Sequence, residues 1–306
     1  MEKQSGALGY PDLAWWWGVV EDRMDPKKRG RVKVRIYGYY SGNPGKMPVD
    51  ALPWALVLQG ITSAAASGVG SSPTGIVEGT TVWGVFLDGA NAQSPMVIGT
   101  IAGAPTGQGF DGGFKDPNGK YPRSPGENDV NRLARNEQIG DTVIQKKRDG
   151  VATASVAFGG TWTEPATKYA AKYPYNHVRE SESGHVFEVD DTEGKERISQ
   201  WHRKGTFVEI DPEGTQVEKV VKDNYRIVLG NDYVKVSGNV KVFIEGNSSV
   251  LVNGNADIEV NGNCKETIHG NYTLKVDGNM ETTVGGVASE KAGVHIKKNA
   301  PRIDLN

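Results

Sequence analysis

Cysteine is almost missing from this 306-residue chain: Cys264 stands alone, which excludes an intrachain disulfide and a thiolate zinc site within one chain. Histidine is nearly as scarce. His177, His185, His202, His269 and His295 show neither the His-x-His nor the His-x-x-x-His spacing of a chelating pair. No apolar run reaches the roughly eighteen to twenty residues of a membrane helix, and the opening MEKQSGALGYPDL lacks an apolar signal core. The sequence therefore predicts a chain made in the cytoplasm that stays soluble. Charge of one sign is also lacking. The formal charge is -2, from 35 Lys and Arg against 37 Asp and Glu, so no nucleic-acid partner is expected.

What the chain has in quantity is glycine, 40 residues against an apolar fraction of 37%, a balance that suits turn-rich β structure rather than a helical bundle. Much of it is ordered. A Gly-Asn pair falls every eight residues at Gly230-Asn231, Gly238-Asn239, Gly246-Asn247, Gly254-Asn255, Gly262-Asn263, Gly270-Asn271 and Gly278-Asn279, and a fixed short period means a repetitive, rod-like architecture. Six positions after each Gly stands a β-branched residue: Val236, Ile244, Val252, Val260, Ile268, Val276 and Val284. Two before these come Val234, Val242, Val250, Ile258, Glu266, Leu274 and Thr282, and the alternate positions are mostly polar. Each octad thus reads as a strand of about five residues with one apolar face. The Gly-Asn pair is expected to supply a left-handed corner, and Cys264 a small inner-face residue. The region carries four lysines and seven acidic residues and is itself acidic.

Two or three apolar side chains per octad cannot close a core around one chain. A meander of seven short hairpins accommodates Gly-Asn turns, but leaves an apolar face and two open edges. Three chains wound together put one strand on each face of a prism and bury every apolar row along a shared axis, and this burial argument favours an intertwined homotrimer. At about 4.8 Å per stacked strand, seven octads give a prism of roughly 34 Å.

Upstream, Trp16–Glu21, Arg31–Tyr37, Trp54–Leu58, Gly79–Phe86 and Pro95–Ile101 read as strands separated by turn signals, which suits a small barrel of the oligonucleotide/oligosaccharide-binding (OB) type over residues 1–104. Trp16, Trp54 and Trp83 are expected to fill it, and Lys27, Lys28, Arg29 and Arg31 to solvate a hairpin rather than bind single strands. Residues 105–176 form a Gly/Pro-rich linker and extended segment with a short helix over Asn128–Glu137. Residues 177–229 form a β neck with strands over 184–191, 196–202 and 205–211, its Asn224–Leu229 lead-in one residue out of register with the octads. Residues 230–306 carry the repeat, which decays after Gly285-Gly286 yet keeps Val294, Ile296, Ile303 and Leu305.

The stretch Trp17-Gly18-Val19-Val20-Glu21-Asp22-Arg23-Met24-Asp25-Pro26, then Gly30–Arg35, Asn131-Arg132-Leu133-Ala134-Arg135, Tyr173–Val178, Glu182-Ser183-Gly184-His185 and the octads, resembles the baseplate central spikes of contractile-tailed phages. Type VI secretion spikes look similar. The resemblance implies an all-β homotrimer in the virion tail baseplate, with an N-terminal OB barrel and a C-terminal intertwined triple-stranded β-helix. It implies a spike that pierces the target envelope on sheath contraction and contacts the target membrane. Its barrels would meet the baseplate hub protein and tail tube, and a PAAR-like tip protein would cap the C-terminus.

Some members of that family carry a lysozyme domain between barrel and helix. Here that slot is short and rich in Gly and Pro. Its carboxylates Glu127, Glu137, Asp141 and Glu164 have no cleft-forming scaffold around them, so no catalytic residue and no cofactor is expected. A cell-wall hydrolase with an unrecognised site and a type VI-like secretion spike stand as alternatives. His177 and His185 are expected in structural hydrogen bonds. His295 is the one metal candidate, through threefold symmetry, but similar spikes use a terminal His-x-His pair that this sequence lacks.

Overall fold

The computed structural model of the protein describes residues 13–103, 127–137 and 142–302. It divides into two compact units, Met1–Phe243 and Ile244–Asn306. In the first unit, β1 (Ala14–Asp22), β2 (Val32–Ile36), β3 (Trp54–Val57), β4 (Thr81–Phe86) and β5 (Pro95–Thr100) close into a barrel in the order β1-β2-β3-β5-β4. β3 and β5 run parallel and the other neighbours antiparallel. The five expected strands are the five found. Period-two patterning turns Trp16, Val20, Val34, Ala55, Val82 and Phe86 inward to one apolar core. Gly84 belongs to that closure, because a Cβ there would stand 2.2 Å from the Met96 carbonyl oxygen and 2.4 Å from the Trp16 ring.

Of the three tryptophans expected inside, only Trp16 fills the barrel. On β4 the inward parity belongs to Val82 and Phe86, so Trp83 faces out and stacks on Trp15, ring centroids 4.6 Å apart. On β3 it belongs to Ala55, which leaves Trp54 half-buried beneath the Arg31 guanidinium and the Lys33 ammonium, at 5.5 and 5.0 Å. The basic turn is built on Asp25, whose carboxylate accepts from the Lys27 and Arg29 amides at 2.9 and 2.8 Å and from the Arg31 guanidinium at 2.6 Å. Those bonds, the Arg31 one foremost, hold its pKa well below the usual carboxylate range. Gly30 completes the turn with φ +73°, where a Cβ would meet Pro73 at 2.4 Å.

The second half of this unit is an antiparallel meander: β8 (Asn176–Glu180), β9 (Val186–Asp190), β10 (Arg197–Trp201), β11 (Phe207–Ile210) and β12 (Gln216–Lys219), ordered β12-β11-β10-β9-β8. A small hairpin of β6 (Thr153–Ser155) and β7 (Thr161–Thr163) stands before it. The helix expected over Asn128–Glu137 is absent. The Asn128 and Asn131 side chains accept from the amides two residues on, at 2.8 and 2.9 Å, and these local bonds replace helical ones. The helix lies later, as α1 (Val143–Asp149), capped by the Thr142 hydroxyl accepting from the Gln145 amide at 3.3 Å.

Val143 and Ile144 of α1 join Leu133, Tyr169, Ala171, Val186, Trp201 and Phe207 in a second core against one face of the sheet. Full burial of a side chain such as Leu133 stabilises by about 1.5–3 kcal/mol. The same face buries charge. Arg197 meets Glu188 at 2.5 Å and Glu209 at 3.0 Å, and Lys147 of α1 meets Glu209 at 2.6 Å, all four side chains at most 4% exposed. The Asn176 amide donates to Glu188 at 2.7 Å and the Thr167 hydroxyl to Glu209 at 3.0 Å. Removing one member of such a group leaves a buried charge unpaired, at a cost of about 3–5 kcal/mol.

Candidate assembly interface

Beyond β12 no strand pairing occurs among the described residues to Arg302. The hairpin meander is therefore not what one chain forms. Bends instead recur every eight residues, at 221–222, 229–230 and 237–238 in the first unit and at 245–246, 253–254, 261–262, 269–270, 277–278, 285–286 and 293–294 in the second. Two expectations about register change with this. The lead-in is in step, since its bend precedes the next by eight residues, and the period runs past Gly285-Gly286 instead of decaying there. A bend is a backbone feature and does not require the Asn. Ile303 and Leu305, expected as apolar to the end, lie outside the described residues.

The octad rows differ in exposure. Val236, Ile244, Val252, Val260, Ile268, Val276 and Val284 range only from 45% to 57% exposed, whereas in the other row Val234, Val242, Val250 and Ile258 range from 72% to 90% and Leu274, at 56%, does not differ. The first row is apolar throughout, the second is interrupted by Glu266 and Thr282, and neither has a partner strand among the described residues. The expected left-handed corner is not found: none of the octad Gly or Asn residues has a positive φ, and a Cβ on any of the seven glycines would meet nothing within 4 Å. Within one chain, then, neither strain nor space requires glycine there.

The outer face of the β8–β12 sheet continues the theme. Strict alternation in β9 and β10 places Phe187, Val189 and Ile198 on the side opposite the ionic core, each about half exposed. Ile198 stands directly between Val189 and Ile210 in the register, and Val208 lies next along β11. The sheet thus buries charge against its own chain and turns apolar side chains outward, the reverse of a solvated sheet face. Sequence reading took these strands for a neck and missed the inversion, although the alternation Phe187-Glu188-Val189-Asp190 carries it.

Other candidate residues fall elsewhere. Among the carboxylates of the short slot, Glu127 pairs with Arg132 at 3.2 Å, Glu137 with Arg135 at 2.6 Å and buried Glu164 with Lys219 at 2.8 Å. Asp141 lies outside the described residues. His177 Nε2 stands 3.5 Å from the Asp191 carboxylate. The His185 and His202 rings lie 4.5 Å apart, each with Nδ1 accepting a backbone N–H, from Arg203 and Lys204. Among the described residues no three His, Cys, Asp or Glu side chains group as metal ligands. His269, His295 and Cys264 are exposed, and among the described residues no helix is long and apolar enough to cross a membrane.

The barrel with its parallel β3–β5 closure defines an OB-type protein. Residues 40–196, just over half of the chain, match the family described as the Gp5 N-terminal OB domain, and the chain belongs to it. The match begins in the β2–β3 connection and continues past the barrel through β9. Among similar proteins, Protein Gp5 of Vibrio phage KVP40 is 40% identical over 262 residues, covering 74% of this chain and 62% of that protein. The pre-baseplate central spike protein Gp5 of Enterobacteria phage T4 is 47% identical over 135 residues, 42% of this chain and 23% of that protein. The chain thus spans less than two thirds of the length of either relative.

Proposed function

We propose that this chain is the structural central spike of a phage tail baseplate, a homotrimer whose octads wind into a triple-stranded β-helix that pierces the target envelope when the sheath contracts. One observation carries the reading: rows rich in apolar residues repeat every eight residues with no partner strand among the described residues of their own chain. The outward apolar face of the β8–β12 sheet and the unoccupied space around every octad glycine support it, since both suit close approach by other copies. The name of the T4 relative, a pre-baseplate central spike protein, supports a spike role, and the KVP40 relative shares its Gp5 designation. On this reading the OB barrel (1–104) meets the hub protein and tail tube, the linker (105–176) and neck (177–229) connect, and the repeat (230–306) supports a PAAR-like tip.

The role is mechanical rather than catalytic. In a threefold prism every strand pairs with another chain above and below, so axial load is shared along a hydrogen-bonded lattice and no chain peels away alone. The carboxylates that a glycosidase would use are engaged in separate ion pairs wherever they are described. Sedimentation of purified full-length protein, with gel migration in SDS before and after boiling, tests the architecture: three chains, separated only by heat, are expected. A monodisperse monomer would sink it, and turnover of peptidoglycan by the purified trimer would replace the mechanical role with a hydrolytic one.

A further inference from the structure

The β6–β7 hairpin takes no part in the proposed assembly. Its strands are three residues each, all of them exposed but the intermediate Ala154, and they pair only with each other. A lone two-stranded hairpin is marginally stable at best in water, so this one depends on what it is fastened to. Its base is fastened to the meander. The buried Glu164 carboxylate accepts from the Ala152 amide at 3.0 Å and pairs with Lys219 of β12 at 2.8 Å. The Lys219 ammonium also donates to the Gly150 carbonyl.

A second fastening lies on the repeat. From Val221 to Arg302 every residue is exposed except Phe243. Its ring lies against that of Trp162 on β7, with centroids 6.2 Å apart and planes inclined by 30°, inside the range of favourable aromatic pairs. The sequence also sets Phe243 apart. The same octad position holds Lys235, Phe243, Leu251, Glu259, Thr267, Lys275 and Thr283, a row that alternates with the two apolar ones and so belongs to the outside of a prism. A contact made to Phe243 therefore leaves both apolar rows free for other chains. We propose that the β6–β7 hairpin is a strap. Held to β12 at its base and to Phe243 through Trp162, it bridges the stretch from Lys219 to Phe243, where sheet pairing ends and the octads begin, and ties the first octads to the neck. Its mechanical use, a brace where load passes from neck to rod, rests on the proposed spike role.

Hydrogen exchange of the full-length protein, read by mass spectrometry over residues 151–164, tests this. Phe243→Lys installs the residue that Lys235 and Lys275 already supply at this octad position, and is expected to speed exchange of the hairpin amides at least about fivefold through loss of the aromatic pair. Trp162→Thr keeps a strand-forming residue between Thr161 and Thr163 and is expected to do the same. Phe243→Tyr keeps the ring and is expected to exchange as the unaltered protein does. Leu251→Lys places the same charge one octad further on, at a residue 84% exposed, and is expected to leave the hairpin unchanged. Sedimentation of the same samples keeps the two proposals apart: trimers are expected throughout, and a monomer in every sample would overturn the assembly while the exchange test stood, because Trp162 meets Phe243 within one chain. Hairpin exchange unchanged by Phe243→Lys or by Trp162→Thr, or accelerated as much by Leu251→Lys or Phe243→Tyr, overturns the strap. Should Phe243→Lys fail to fold, Trp162→Thr decides.

Discussion

At the scale of single residues, the barrel offers a titration with a defined direction. The Tyr40 hydroxyl donates to the Ala92 carbonyl at 2.8 Å beside the Phe86 ring, and burial, with a smaller contribution from the Asp88 charge, pushes its pKa up to about 12. A tyrosine raised in the folded state contributes stability that is complete below the unfolded value near 10 and is lost as pH climbs through the folded value. Tyr40→Phe is therefore expected to cost about 0.5–1.5 kcal/mol at neutral pH through the lost hydrogen bond. It is also expected to flatten the fall in stability between roughly pH 10 and 12. Urea midpoints of both proteins across that range check the slope, and parallel curves would assign the alkaline loss to other groups. The acid side mirrors this, because the depressed Asp25 carboxyl contributes stability that is complete above the ordinary carboxylate range and is lost progressively as pH falls toward its own low folded value.

At the scale of elements, the octad carries one evenly half-exposed row and a second row that, apart from Leu274, is more exposed where it is apolar. Val252 and Val260 stand at the less exposed octad position, whereas Lys241 alternates with the apolar residues of its strand. In the proposed trimer a carboxylate at either valine is buried three times over without a partner, several kcal/mol per copy by the usual cost of burying unpaired charge. Val252→Asp or Val260→Asp is expected to abolish the trimer in sedimentation, and Lys241→Asp to leave it assembled. Equal tolerance of the two kinds of change would reverse the faces of the strand. The β8–β12 sheet shows a similar contrast, its ionic face packed against the chain's own α1 and its other face presenting half-exposed Phe187, Val189 and Ile198.

At the scale of the molecule, the question is how the repeat ends. The eight-residue spacing of bends persists to 293–294, and Val287 and Val294 are almost fully exposed. A prism that stopped there would offer unpaired edges and apolar side chains to water. Truncation after Gly285 retains all seven Gly-Asn octads and is expected to keep the proposed heat-resistant trimer while losing the proposed PAAR-like tip, as judged by pull-down with a PAAR-like protein. Retention of the tip by the truncated trimer would move its seat away from residues 286–306.

Periodicity alone was enough to read five barrel strands, three of the sheet strands and the octad array, because alternation and spacing are local properties that each segment carries with it. It did not decide which face of β3 and β4 turns inward. Trp54 and Trp83 are apolar in any local view, and only barrel closure assigns the inner parity to Ala55, Val82 and Phe86. Helix over Asn128–Glu137 lost to side-chain bonds from Asn128 and Asn131, while Thr142-Val143-Ile144-Gln145 carried a capping signal that was legible and passed over. The inverted sheet was legible as the alternation Phe187-Glu188-Val189-Asp190, but which side turns inward was not: Glu188, Arg197 and Glu209 stand on neighbouring strands of the meander, and the packing of α1 with Lys147 on that side makes it the buried, ionic face and leaves the other apolar.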